Sequence, residues 1–276
     1  MARGRAVAKR AFVPVAIFAA SFVTAALVSS RLLQSRVLGA APLSTTQWGA
    51  YPGARVTTLP SALDIRRPIA LPDPGAVTRW APVLRPVLAH KLPSVKSPVV
   101  GLLRARTSDG TTNIVVADAE ADVAGTTWVR VGLAKLRNGT EGWLPRSALG
   151  GWSFVDTRLV IDRSRFTATL FRSGHIVFRA PIGVGAPGTP TPGGHFYVRD
   201  RLSGFSSPVY GPLAFGTNAK SPTLTDWPGG GVVGIHGTNQ PWLIPGRISH
   251  GCVRLRNAAI IRLGQLMPVG TPVTIE

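Results

Sequence analysis

A single cysteine, Cys252, lies in the run Ser249-His250-Gly251-Cys252-Val253-Arg254-Leu255-Arg256-Asn257, and His236 stands sixteen positions before it in Gly234-Ile235-His236-Gly237-Thr238-Asn239. A thiol is only a few per cent thiolate at neutral pH, because its unperturbed pKa is about 8.5. To act as a nucleophile it needs a base, and an imidazole within hydrogen-bond reach is one. His236 ends the apolar run Val232 to Ile235, and Cys252 opens the run Cys252 to Leu255. Two neighbouring strands would set the ring and the thiol side by side. Alternation places Val253 and Leu255 on one face and Cys252, Arg254 and Arg256 on the other. A cation beside the thiol lowers its pKa and can grip a substrate carboxylate through paired N–H groups. Gly251 permits close backbone approach, and the Gly251 and Cys252 amides are candidate donors to a developing oxyanion. Gln240 to Ile248, with Pro241, Trp242 and Pro245, is expected to loop over the site.

Other chemistries fit these residues less well. One cysteine excludes an intramolecular disulfide. A closed zinc site wants four ligands, and no CxxC or HxxxH pair joins His236, His250 and Cys252, so no metal is expected. A papain-like protease would carry its cysteine near the mature amino end with the histidine far downstream, the reverse of the order here. Of the other histidines, His175 falls beside a turn and reads as solvent-facing. His195 follows a Pro-Gly loop and reads as structural, and His90 reads as part of a tether.

The elements that must position the site are mostly strands. From Phe154 onward Leu159, Ile161, Phe166, Ala168, Leu170, Ile176 and Phe178 alternate around turns at Asp162-Arg163-Ser164 and Arg172-Ser173-Gly174, which predicts successive antiparallel strands. Residues 187–195, rich in Pro and Gly, predict a rigid loop entering a strand at Phe196. Asn257 is placed to cap a short helix with Ile260, Ile261, Leu263 and Leu266 inward, and Thr271 to Ile275 reads as a last strand. Between Pro98 and Leu149, Val99 to Leu103, Ile114 to Val116 and Trp128 to Val131 predict further short strands, with a turn at Asn138-Gly139.

The 276-residue chain is 45% hydrophobic, with 31 Gly and 24 Pro, which suits a turn-rich globular protein. Its net charge of +19 is uneven: residues 1–96 hold 13 of the 31 basic residues and 2 of the 12 acidic ones. Charge spread along a tether suits an anionic wall polymer. No helix-turn-helix, zinc-knuckle or RNA-binding signature accompanies it, so nucleic acid is not an expected partner. Residues 1–10 carry four basic side chains, and residues 11–30 carry no charge, a length that spans bilayer hydrocarbon at about 1.5 Å per residue. A signal anchor with the amino end inside follows from the charge bias, a cleaved signal peptide being the competing reading. Residues 31–96, punctuated by proline, read as an extended linker.

Two resemblances enter on these residues. The stretch Trp128-Val129-Arg130-Val131 with Gly142-Trp143-Leu144-Pro145-Arg146 resembles the last strands of bacterial SH3-like domains, over residues 97–150. Residues 154–276 resemble the YkuD-type L,D-transpeptidases, through Ser249-His250-Gly251-Cys252, His236, the downstream Arg254 and Asn257, and Gly183-Val184-Gly185 ahead of Thr189-Pro190-Thr191-Pro192-Gly193. Gly194 departs from that pattern. The resemblances imply a mainly β protein, a β-rich sandwich-like catalytic domain with a short helix preceded by a small SH3-like β-barrel, to which the run 11–30 adds an N-terminal transmembrane helix. It implies transfer of an acyl group from peptidoglycan stem tetrapeptides through a thioester on Cys252, giving 3→3 cross-links, with no cofactor. His236 would be the base and the Gly237 carbonyl its orienting partner. Ser249, His250, Gly251, Arg254 and Asn257 would serve the oxyanion or hold substrate. L,D-carboxypeptidase or amine-exchange activity at the same site, or a non-catalytic wall-binding role, remain open. Location follows the anchor: a single-pass membrane protein with its catalytic part outside, or a secreted one if the segment is cleaved.

Overall fold

A computed structural model describes residues 69–70, 77–224 and 230–276 of the chain. The predicted basic segment 1–10, the apolar span 11–30 and most of the linker lie outside the described residues. Among the described residues no helix is long and apolar enough to cross a membrane. They form a mainly β protein with one α-helix, built on two sheets.

The first sheet runs Val99–Leu103, Val87–His90, Glu141–Pro145, Thr126–Gly132, Ile114–Val123, Thr78–Pro82, Ser153–Val155, all neighbours antiparallel, with Ile69–Ala70 added against Ile114–Val123. Its long hairpin turns at Ala124-Gly125, both at positive φ, the conformation that two-residue hairpin loops favour. Alternate residues pack inward: Ala81, Ala89, Val115, Ala117, Val129, Val131 and Leu144 make its core.

The expected linker therefore ends sooner than Lys96. Thr78–Pro82 and Val87–His90 are strands, and the prolines that argued against structure sit where a sheet tolerates them: Pro82 closes one strand and Pro86 precedes the next. His90, read as tether, is buried; its Nδ1 meets the Ser97 carbonyl oxygen at 2.8 Å and its ring stands edge-on to Trp128. Ser153–Val155 likewise belongs to the first sheet, so the second unit starts after Val155 and not at Phe154.

The second sheet runs His175–Pro181, Thr167–Arg172, Thr157–Asp162, Pro272–Ile275, Gly194–Ser203, Leu213–Lys220, Val232–His236, Val253–Arg254, Gly183–Gly185, Gly246–Ser249. The two predicted hairpins at its edge form as expected. Three of its pairings are parallel, including Val232–His236 with Val253–Arg254. Leu159, Ile161, Leu170, Phe215, Ile235 and Leu255 fill the core with Ile260 and Leu263 of the helix Asn257–Leu266. Ile261, expected inward, is 47% exposed, because it lies about 100° round the helix from buried Ile260.

The sheets are joined by polar contacts. The Asn138 side chain donates to the Lys220 carbonyl at 2.7 Å and accepts from the Lys220 amide at 2.8 Å. The Tyr197 hydroxyl donates to the Gly132 carbonyl at 3.0 Å, and burial pushes that phenol up to about 12. Gly270, at φ +85°, lies so close against Trp80 that a Cβ would overlap the indole.

Candidate active site

The parallel pair Val232–His236 and Val253–Arg254 builds the centre of the site. Ile235 is level with Val253, and His236 with Arg254. Ile235, Val253 and Leu255 point into the core, which turns His236, Cys252 and Arg254 to the opposite face, as the alternation predicts. Gly234 lies on that face between the ring and the thiol. A Cβ there would stand 3.8 Å from the Cys252 sulfur and 3.8 Å from His236 Cδ2, so the missing side chain leaves the sulfur and the ring facing the same gap.

Each partner is fixed from the backbone. The Gly234 N–H donates to the Cys252 sulfur at 3.3 Å. His236 Nδ1 lies 2.6 Å from the Gly237 carbonyl oxygen, which accepts only if Nδ1 carries the proton. The neutral ring then presents a bare Nε2 as base. Asn257 does not cap the helix; Arg256 holds the cap position, and the Asn257 side-chain oxygen accepts from the Thr238 N–H at 2.9 Å. Asn257 is thus a positioning residue for the turn behind His236. Tyr210 stands edge-on to the His236 ring with centroids 5.1 Å apart.

The Ser249–Cys252 turn is held from two sides. Buried Ser249 donates its hydroxyl to the Cys252 carbonyl at 2.5 Å and accepts from the Gly251 N–H at 3.2 Å. Ser249 is therefore turned to the backbone rather than the cleft, and the Gly251 amide, expected to serve an oxyanion, is already engaged. Buried Thr191 accepts from the Gly185 N–H and donates to the Gly251 carbonyl, both at 2.8 Å. Thr189 donates to the Ser249 carbonyl at 3.2 Å. The predicted Pro-Gly loop is a brace under the cysteine turn.

Cys252, His236, His250, Gly251, Arg254 and Tyr210 line a cleft of about 430 Å³. The expected loop over the site contains the strand Gly246–Ser249, paired with Gly183–Gly185. Arg254 is half-buried, and its Nε is buried with no hydrogen-bond partner in the protein.

Charge in the cleft differs from the simplest expectation. Burial, opposed by the Gly237 hydrogen bond and assisted by Arg254, lowers the His236 imidazole to about 4. Burial also raises the Cys252 thiol, and the Gly234 N–H and Arg254 offset only part of that. Arg254 does favour the thiolate, but desolvation outweighs it. The resting pair is a neutral thiol beside a neutral imidazole. Among the described residues no group of three or more His, Cys, Asp or Glu is arranged to hold a metal.

Sequence reasoning missed Tyr210, which sits in no motif, and Thr191, whose only signal is its place in the Thr-Pro-Thr-Pro run. It brought Cys252, His236, Gly237, His250, Gly251 and Arg254 to one place, with Ser249 and Asn257 behind them.

A β-rich domain with a thiol and an imidazole at one cleft defines a candidate cysteine-dependent acyl-transfer site. Residues 156–275 match the YkuD family model, an L,D-transpeptidase catalytic domain. It is 36% identical over 110 residues to the L,D-transpeptidase YkuD of Bacillus subtilis, covering 40% of this chain and 60% of that protein. The Bacillus licheniformis YkuD is 31% identical over 121 residues, covering 44% and 66%. The chain thus spans less than two thirds of the length of these relatives. The NMR structure of the catalytic domain of the Enterococcus faecium L,D-transpeptidase is 26% identical, covers 44% of this chain and 97% of that one, and has a TM-score of 0.33, too partial a likeness to add weight.

Proposed function

We propose that the chain is a cysteine L,D-transpeptidase that joins peptidoglycan stem peptides by 3→3 cross-links. The observation that carries this reading is the cleft in which the Cys252 sulfur and the His236 ring flank the empty side of Gly234, with the Arg254 guanidinium beside them.

The neutral pair sets the order of events. As the Cys252 sulfur adds to the carbonyl before the terminal D-residue of a donor tetrapeptide, its proton passes to His236 Nε2. The Cys252 amide, rather than the engaged Gly251 amide, serves the oxyanion. Collapse breaks the C–N bond, and the imidazolium returns its proton to the leaving amine, leaving a thioester. An acceptor amine attacks that thioester, His236 takes the amine proton, and the thiolate leaves and is reprotonated. Water in place of the amine gives a carboxypeptidase. Arg254, which lines the cleft, holds a substrate carboxylate.

The first sheet, read as SH3-like, props the catalytic unit. Residues 11–30 anchor the chain in the membrane with the cleft outside, where stem peptides are found. Incubation of the protein with purified tetrapeptide muropeptides, followed by tandem mass spectrometry of the products, tests the reading. Dimers linked between the two third-position residues are expected. Products shortened by one D-residue with no dimers would establish the carboxypeptidase instead, and unchanged muropeptides would overturn both.

A further inference from the structure

A second cleft of about 430 Å³ opens where the two sheets meet, and nothing in the acyl-transfer reading uses it. Its wall from the first sheet carries Arg104, Arg106 and Lys135, and its wall from the second carries Arg199, Lys220 and Tyr197. Five cationic side chains converge on one cleft. Among the described residues two acids face them. Asp109 acts on Lys220 through space, and Asp200 has a carboxylate oxygen 4.0 Å from Arg199 Nη2.

Arg199 makes this more than a charged surface. Val198 pairs with Thr217 and Asp200 with Gly216, so Arg199 is the extra residue of a β-bulge, a device that re-aims a side chain. The bulge carries the guanidinium into the junction, where Arg199 is only 8% exposed and its Nε, fully enclosed, meets no hydrogen-bond partner. Asp200 does not neutralise it in full. That carboxylate accepts instead from the Gly216 N–H at 3.0 Å and the Thr111 hydroxyl at 3.3 Å, and burial raises it toward the neutral form. Lys220 donates to the Gly230 carbonyl at 2.8 Å, and burial followed by Arg199 lowers its ammonium. A buried guanidinium with an unused donor is unfavourable unless an anion joins it.

We infer that this junction is a phosphate-binding site, formed by Arg199 and Lys220 on one side and Arg104, Arg106 and Lys135 on the other. Among the described residues cations outnumber acids there, which suits a phosphate better than a single carboxylate, and the planar Arg199 fork matches phosphate oxygens. The group is either free phosphate or the repeating phosphodiester of an anionic polymer. The site is separate from Cys252 and does not depend on the acyl-transfer reading.

Isothermal titration calorimetry of the full chain with inorganic phosphate, with acetate at matched ionic strength as control, tests this. Saturable binding of phosphate and none of acetate is expected. Arg199→Met removes the buried donor, and the pair Arg104→Glu with Arg106→Glu alters only exposed side chains; each is expected to weaken binding at least tenfold. The exposed pair keeps the proposal testable if Arg199→Met fails to fold. Cys252→Ala is expected to bind phosphate as the wild type does. Glycerol phosphate oligomers binding more tightly than inorganic phosphate assign the site to a polymer, and equal binding assigns it to the free ion. Indistinguishable phosphate and acetate isotherms, or undiminished binding in the Arg104→Glu, Arg106→Glu protein, would overturn the proposal whatever the fate of the transpeptidase reading.

Discussion

The Gly234 amide donates to the Cys252 sulfur at 3.3 Å from within the strand that ends in His236. One short strand thus holds the thiol by its backbone and delivers the base by its last side chain, and the parallel pairing with Val253–Arg254 fixes the register between them.

The gap at Gly234 is the first place to perturb. An added Cβ meets only ordinary contacts, at 3.5 Å or more, and φ is not in the left-handed region, so Gly234→Ala is expected to fold. Gly234→Val fills the space between sulfur and ring. Its acylation rate is expected to fall at least a hundredfold while circular dichroism stays native, and an unchanged rate would place the proton transfer elsewhere.

The pH profile follows from a buried neutral imidazole and a half-buried neutral thiol. The His236 value of about 4 lies below the ordinary imidazole value of 6.5, so the ring remains a competent base well below pH 6 and the acid limb of acylation is expected near pH 4. Stability carries the same signature. A base with a depressed folded pKa contributes stability above its unfolded pKa, and this is lost as pH falls from about 6.5 to about 4, by up to about 3 kcal/mol. The raised Cys252 thiol adds stability below its unfolded pKa that is lost as pH climbs past it. Denaturant melts from pH 4 to 11 read both limbs, and His236→Gln should flatten the acid one.

Asn257 tests positioning apart from chemistry. Asn257→Ala leaves the Thr238 N–H without its acceptor, a loss of about 1 kcal/mol. The turn that carries the Gly237 carbonyl loosens, so kcat is expected to fall five- to tenfold with KM little changed. Steady-state kinetics of the variant decide it; a KM effect alone would make Asn257 a substrate contact.

Thr191→Val removes the hydroxyl that ties Gly185 to the Gly251 carbonyl and leaves a buried donor and acceptor unpaired. A destabilisation of about 1–3 kcal/mol is expected by chemical denaturation. Acylation should slow as well, because the brace beneath the cysteine turn is gone, whereas full activity would make that brace purely structural.

Much of this was legible in the residues. Alternation through Leu159, Ile161, Ala168 and Leu170 gave true strands, and the one-face placement of Cys252 and Arg254 followed from buried Val253 and Leu255. Pattern failed where a residue's partner is distant in sequence. Pro82 looked like a breaker because its strand finds its partner more than thirty residues away, at Ile114–Val123, and Pro86 because it stands just before its strand. Asn257 resembled a cap because its acceptor is used nineteen residues back, at Thr238. The thiol's raised pKa is not legible, because a sequence displays the neighbouring Arg254 but not the burial that outweighs it.

Intact-protein mass spectrometry after exposure to a carbapenem tests the central claim most directly. The account predicts one drug mass added to the wild type, none to Cys252→Ala, and a rate at least a hundredfold lower in His236→Ala. An adduct that persists in Cys252→Ala, or forms at the wild-type rate without His236, would contradict it.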